Sequence, residues 1–90
     1  MFVTKILKDI SKEELEIMKI FYKRMGRNAV WEILEVLDDA EDGLTRDEIC
    51  KLLSRKNIGM DLKFLSFIKV IKEQSVLVKS KNIFWTGVNS

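Results

Sequence analysis

Glu41-Asp42-Gly43-Leu44-Thr45-Arg46-Asp47-Glu48-Ile49-Cys50-Lys51-Leu52-Leu53 is the stretch on which the fold of this chain turns. Thr45 and Glu48 have the spacing of a capping box, in which the hydroxyl takes the amide of the third helical residue and that residue's carboxylate reaches back to the cap. Ile49, Leu52 and Leu53 then recur on one face, so the stretch predicts a short helix that starts after Thr45 and ends near Arg55. Gly43 closes the loop in front of it.

Upstream, Asn28 stands where a cap belongs, and Val30, Ile33, Leu34 and Leu37 follow at helical intervals. Further back, Ser11 and Glu14 form a second capping box, with Ile10 and Leu15 placed as a hydrophobic staple. A helix over 12–25 follows, with Leu15, Met18, Tyr22 and Met25 as its stripe, Ile17 and Phe21 widening it, and Gly26 as its stop. Phe2, Val3, Ile6, Leu7 and Ile10 also fit a helical spacing, either joining this helix or preceding it. Downstream, a helix is expected over 61–73, with Phe64, Leu65, Phe67, Ile68 and Ile71 as its core side. The period then changes: Val76-Leu77-Val78-Lys79 and Ile83-Phe84-Trp85-Thr86, separated by Ser80-Lys81-Asn82, read as an antiparallel hairpin. The fold class is therefore mainly α with a carboxy-terminal β-hairpin, an α+β arrangement.

The chain has 90 residues, 47% of them hydrophobic and 33% charged, enough for one small core and too few for a large catalytic cleft. It has no His and a single Cys, Cys50, so Cys- and His-based zinc sites and Ser-His or Cys-His nucleophilic pairs cannot be assembled within one chain. An enzyme is not expected, nor is any cofactor or metal. Asp38-Asp39-Ala40-Glu41-Asp42-Gly43 fails as a calcium loop because Ala40 and Ile49 occupy positions that need oxygen ligands. One unpaired Cys and the absence of a long apolar run predict a cytoplasmic protein without a membrane segment. Lys supplies 12 of the 16 basic residues and Gln occurs once, a bias resembling hyperthermophile usage.

The formal net charge of +2 conceals a polarised chain. Residues 1–27 carry seven bases and four acids, residues 28–48 one base and eight acids, and residues 49–90 eight bases and two acids.

A helix, a Gly-Leu-Thr loop, a short capped helix, a turn, a further helix and a hairpin follow one another in the order of a winged helix-turn-helix domain. Ile33-Leu34-Glu35-Val36-Leu37 through Leu53 resembles the first two core helices of that superfamily, as found in small archaeal or archaeal-virus regulators, and Val76 to Trp85 resembles its wing. The resemblance divides the chain into an amino-terminal helical extension (1–27), a winged-helix domain (28–87) and a tail (88–90). It implies a transcriptional regulator that binds duplex DNA, with helix 61–73 in the major groove and the wing 76–86 on the backbone. Lys63, Ser66 and Lys69 on that helix, Lys79 and Lys81 at the wing, Arg55 and Lys56 at the turn, and Thr45 and Arg46 at the start of the capped helix are the candidate DNA contacts. Lysine is a flexible point charge that suits phosphates better than base edges, so modest sequence specificity is implied.

Other readings remain beside this one. On a helical wheel Leu62 and Val70 fall among the exposed residues of helix 61–73, chemistry that suits a protein partner better than a phosphate groove. An interaction module docking through the Leu62/Val70 face is the alternative, and a DNA mimic exploiting the acidic segment, with Glu35, Asp38 and Asp39, is a third. Ile17, Met18, Phe21, Tyr22 and Met25 form a stripe wider than one neighbour buries, which predicts a homodimer through the amino-terminal helix.

Overall fold

A computed structural model describes residues 1–77 of the chain. Within them lie six elements: β1 (Phe2–Ile6), α1 (Lys12–Arg24), α2 (Asn28–Asp38), α3 (Arg46–Leu53), α4 (Gly59–Phe67) and β2 (Ile71–Ser75). The described residues thus form a small α+β arrangement with four helices and a two-stranded antiparallel sheet. The second strand of the expected hairpin, residues 83–86, lies outside the described residues, as do Lys79 and Lys81.

Both capping boxes form. Ser11 Oγ accepts the Glu14 amide at 3.0 Å, and the Ser11 amide donates to Glu14 Oε1 at 2.9 Å. Thr45 and Glu48 repeat the arrangement at 3.1 and 2.8 Å. Each ties up two backbone donors that a helix start leaves unpaired. Asn28 behaves differently from its expected role: it is the first residue of α2, and its Oδ1 accepts from Trp31 Nε1 at 3.1 Å instead of capping. The indole claims the acceptor that a cap would have spent on the backbone.

Three expectations are corrected. Residues 2–6 form a strand rather than a helix. Helix 61–73 shortens to Gly59–Phe67, because Lys69 takes a left-handed φ of 64° and Ile71–Ser75 pairs with β1 in a register running from Phe2↔Ser75 to Ile6↔Ile71. β2 ends at Ser75, so Val76 and Leu77, the described part of the expected first hairpin strand, lie beyond it, and its first three residues, 71–73, fall within the expected helix. Finally, Leu62 and Val70 are only 4% and 2% exposed, so no Leu62/Val70 face exists for a partner to dock on.

β1 is the middle of a wider arrangement. Thr4 forms an isolated bridge with Leu44, and β2 lies along the other edge of the strand. Gly43 permits this close approach: its φ is +84°, and a Cβ there would lie 2.7 Å from Lys5 Cγ and 2.9 Å from the Thr4 carbonyl oxygen.

Val30, Ile33, Leu34 and Leu37 of α2 form the centre of the core, joined by Leu15, Ile49, Ile58, Leu62, Leu65, Val70 and Ile71. Each such aliphatic side chain contributes about 1.5–3 kcal/mol by leaving water. Ile6, Ile10, Met18 and Tyr22 pack against this same cluster, so residues 1–27 share the core of the rest. Phe67 and Leu52, assigned to core faces by their spacing, are exposed.

Lys19 is a buried cation beneath α2. Its Nζ lies 2.6 Å from Glu16, 3.2 Å from Glu35 and 3.3 Å from Asp38. Burial works against the ammonium, but hydrogen bonds to Glu16, Glu35 and Asp38 outweigh it and hold the pKa above the ordinary lysine value.

Candidate nucleic-acid interface

The capping box that starts α3 aims Arg46, its first residue, away from the core, and the outer face of α4 presents Lys63 and Ser66 toward the same space. These three side chains line one open cleft of about 500 Å³, with Thr4, Ile71 and Leu62 also in its walls. Asn57, Gly59 and Met60 form its rim beside the start of α4, and Glu73 of β2 is the acid in the lining. Arg46 Nη2 is 3.8 Å from Glu73 Oε2, a loose and exposed pair that leaves most of the guanidinium donors open to solvent.

The other candidate contacts are placed less favourably. Thr45 spends its hydroxyl as acceptor for the Glu48 amide, so its first duty is to the helix. Arg55 Nε donates to Glu32 Oε1 at 3.0 Å, tying the turn back to α2. Lys56 is exposed in the turn between α3 and α4, and its carbonyl lies 4.0 Å from Cys50 Sγ. Lys69 is exposed but stands beyond the end of α4, in the left-handed turn into β2.

Spacing alone missed a further basic pair. Lys5 and Lys72 stand directly opposite each other in the β1–β2 register. Like charges in that relation repel unless an anion or an acid answers them. Their separation along the chain hides the pair until the strand register is known.

Part of the acidic segment is committed within the fold. Glu35 and Asp38 hold Lys19, Asp38 also meets Lys12 at 3.4 Å, and Glu32 holds Arg55. Asp39, Glu41 and Asp47 of the same segment lie exposed at the surface.

The expected dimer stripe divides in two. Met18 and Tyr22 turn inward onto the core, with Tyr22 edge-on to Phe64 at 5.9 Å between ring centroids. Ile17, Phe21 and Met25 stay exposed, and Ile20, absent from the expected set, joins them. Among the described residues no three His, Cys, Asp or Glu side chains gather to hold a metal, and no helix is long and apolar enough to cross a membrane.

Comparison with protein-family models, with curated proteins and with solved structures finds no match to this chain.

Proposed function

We propose that the chain is a winged-helix type DNA-binding module that regulates transcription by occupying duplex DNA. The observation that carries this reading is the convergence of Arg46 from α3 with Lys63 and Ser66 from α4 on one open cleft. In support, α2, α3 and α4 follow one another as in a helix-turn-helix, with a tight turn between α3 and α4, and β2 comes directly after. α4 is the element that enters the major groove, Arg46 and Lys63 neutralise phosphates, and Lys56 and Lys69 extend the contact along the backbone, whereas the Lys5–Lys72 pair, one residue along from Thr4 and Glu73, lies on the other face of the sheet. The departure from the winged-helix pattern lies in the sheet, where β2 pairs with the amino-terminal strand. A free cysteine and the lack of an apolar span in the described residues fit action in the cytoplasm.

Binding to a random-sequence duplex, followed across a salt series, tests the proposal. Affinity should fall steeply with salt, and Arg46→Ala combined with Lys63→Ala should lower the log–log slope by about two. Salt-independent binding, or none at low salt, overturns it.

A second reading rests on Met60 and Phe67, which are 76% and 83% exposed on the outer face of α4 beside Lys63. Two large apolar side chains flanking one cation suit a protein surface as well as a groove. Under that reading Phe67→Ala, outside the lining of the Arg46–Lys63 cleft, weakens partner binding and leaves DNA affinity unchanged.

A further inference from the structure

The outward face of α1 is written so that it complements itself. Leu15, Met18, Lys19 and Tyr22 turn toward the core, and the side opposite them carries Glu13, Ile17, Ile20 and Arg24. These four are spaced by four, three and four residues, so at 100° per residue they lie within about 60° of one another in a single seam. Ile17 and Ile20, in its middle, are 66% and 52% exposed, and Phe21 and Met25 extend the apolar surface along one flank. At the ends stand an acid and a base, neither of which meets an ion-pair partner among the described residues.

We infer that this face is the contact of a twofold homodimer in which the α1 helices of two copies lie antiparallel. A twofold axis between Ile17 and Ile20 sets Ile17 of each copy against Ile20 of the other, and Glu13 of each against Arg24 of the other. Every residue of the seam then meets its complement, and each helix start lies beside the other's end, where the macrodipoles attract. A parallel pairing would oppose acid to acid and base to base. Charge order along the seam therefore selects both the occupant, a second copy of this chain, and its direction. The interface uses none of the residues around the Arg46–Lys63 cleft, so it stands whether or not the chain binds DNA.

Sedimentation of the full chain from low to high micromolar concentration reads the dimer directly. Glu13→Arg alone and Arg24→Glu alone each convert two attractive contacts into repulsive ones and should weaken association roughly tenfold. The double variant Glu13→Arg/Arg24→Glu swaps the charges and should restore it. Ile17→Asp, at an exposed position, should give a monomer with unchanged helix content by circular dichroism. A wild-type chain that stays monomeric throughout overturns the inference, as does a dimer indifferent to Ile17→Asp or singly reversed variants that the double variant does not rescue.

Discussion

The backbones of Thr4 and Leu44 exchange both of their hydrogen bonds, at 2.7 and 3.0 Å, which clamps the amino-terminal strand between β2 and the entrance of α3. Gly43 lies against this clamp, at a φ that side chains resist and with the Thr4 carbonyl where a Cβ would go. Gly43→Ala should therefore cost about 2–3 kcal/mol, from the left-handed backbone and the displaced strand together. Urea unfolding of the two proteins measures it. Gly26 is the control: its φ is +78° with open space around it, so Gly26→Ala should cost only about 1 kcal/mol.

Lys19→Met should destabilise the fold by about 1–2 kcal/mol. It leaves the carboxylates of Glu16, Glu35 and Asp38 facing one another, but more than half of the Glu16 and Glu35 side chains is in water, which screens the repulsion. The pH dependence follows from the raised pKa of the folded state. A lysine held above its unfolded value contributes fully below that value and is lost only as pH rises through the folded one. Thermal melts at about pH 6 and about pH 9 should show the same gap between wild type and variant, and the gap should close only at more alkaline pH.

Leu62→Ala should cost about 2–5 kcal/mol, because the side chain is packed within the core and its removal leaves a cavity. Phe67→Ala, on the same helix, should leave the melting temperature almost unchanged. Differential scanning calorimetry of the two variants separates the buried side of α4 from the side open to a ligand.

Arg55→Ala should lower stability by about 1 kcal/mol while leaving the salt slope of DNA binding intact, since Arg55 is engaged with Glu32. Arg46→Ala should do the reverse. Chemical denaturation and a salt series on both variants distinguish a cation that serves the fold from one that serves a ligand.

Lys72→Glu should stabilise the protein by up to about 1 kcal/mol, by turning the repulsive pair with Lys5 into an attractive one. A denaturation midpoint that fails to rise would contradict the register.

What could be read in the sequence was what is encoded locally. Ser11–Glu14 and Thr45–Glu48 announce α1 and α3 because each capping box is complete within four residues. The periodic run from Val30 to Leu37 likewise marks a helix that is buried along one side. The strands escaped notice for the opposite reason. Val3 and Thr4 are buried in succession because the residue 43–44 loop and the rest of the fold enclose both faces of β1, which erases the alternation of a half-exposed strand. Ile71-Lys72-Glu73-Gln74-Ser75 has little strand preference of its own and is extended because β1 offers it a ladder. Of the candidate site, the cations on α3 and α4 could be found from charge and helix order. The Glu73 neighbour, the Lys5–Lys72 pair and the burial of Leu62 and Val70 depend on contacts between distant segments.

The pairing of β1 with β2 also bears on how each copy is made. Residues 2–6 leave the ribosome well before residues 71–75, and the Thr4–Leu44 clamp cannot close until the α2–α3 loop has emerged. Until then β1 is an open edge carrying Phe2 and Val3, able to recruit the wrong partner. The sheet is therefore among the last parts of the fold to be completed, although β1 is translated well before β2, and factors that attend nascent chains meet β1 alone.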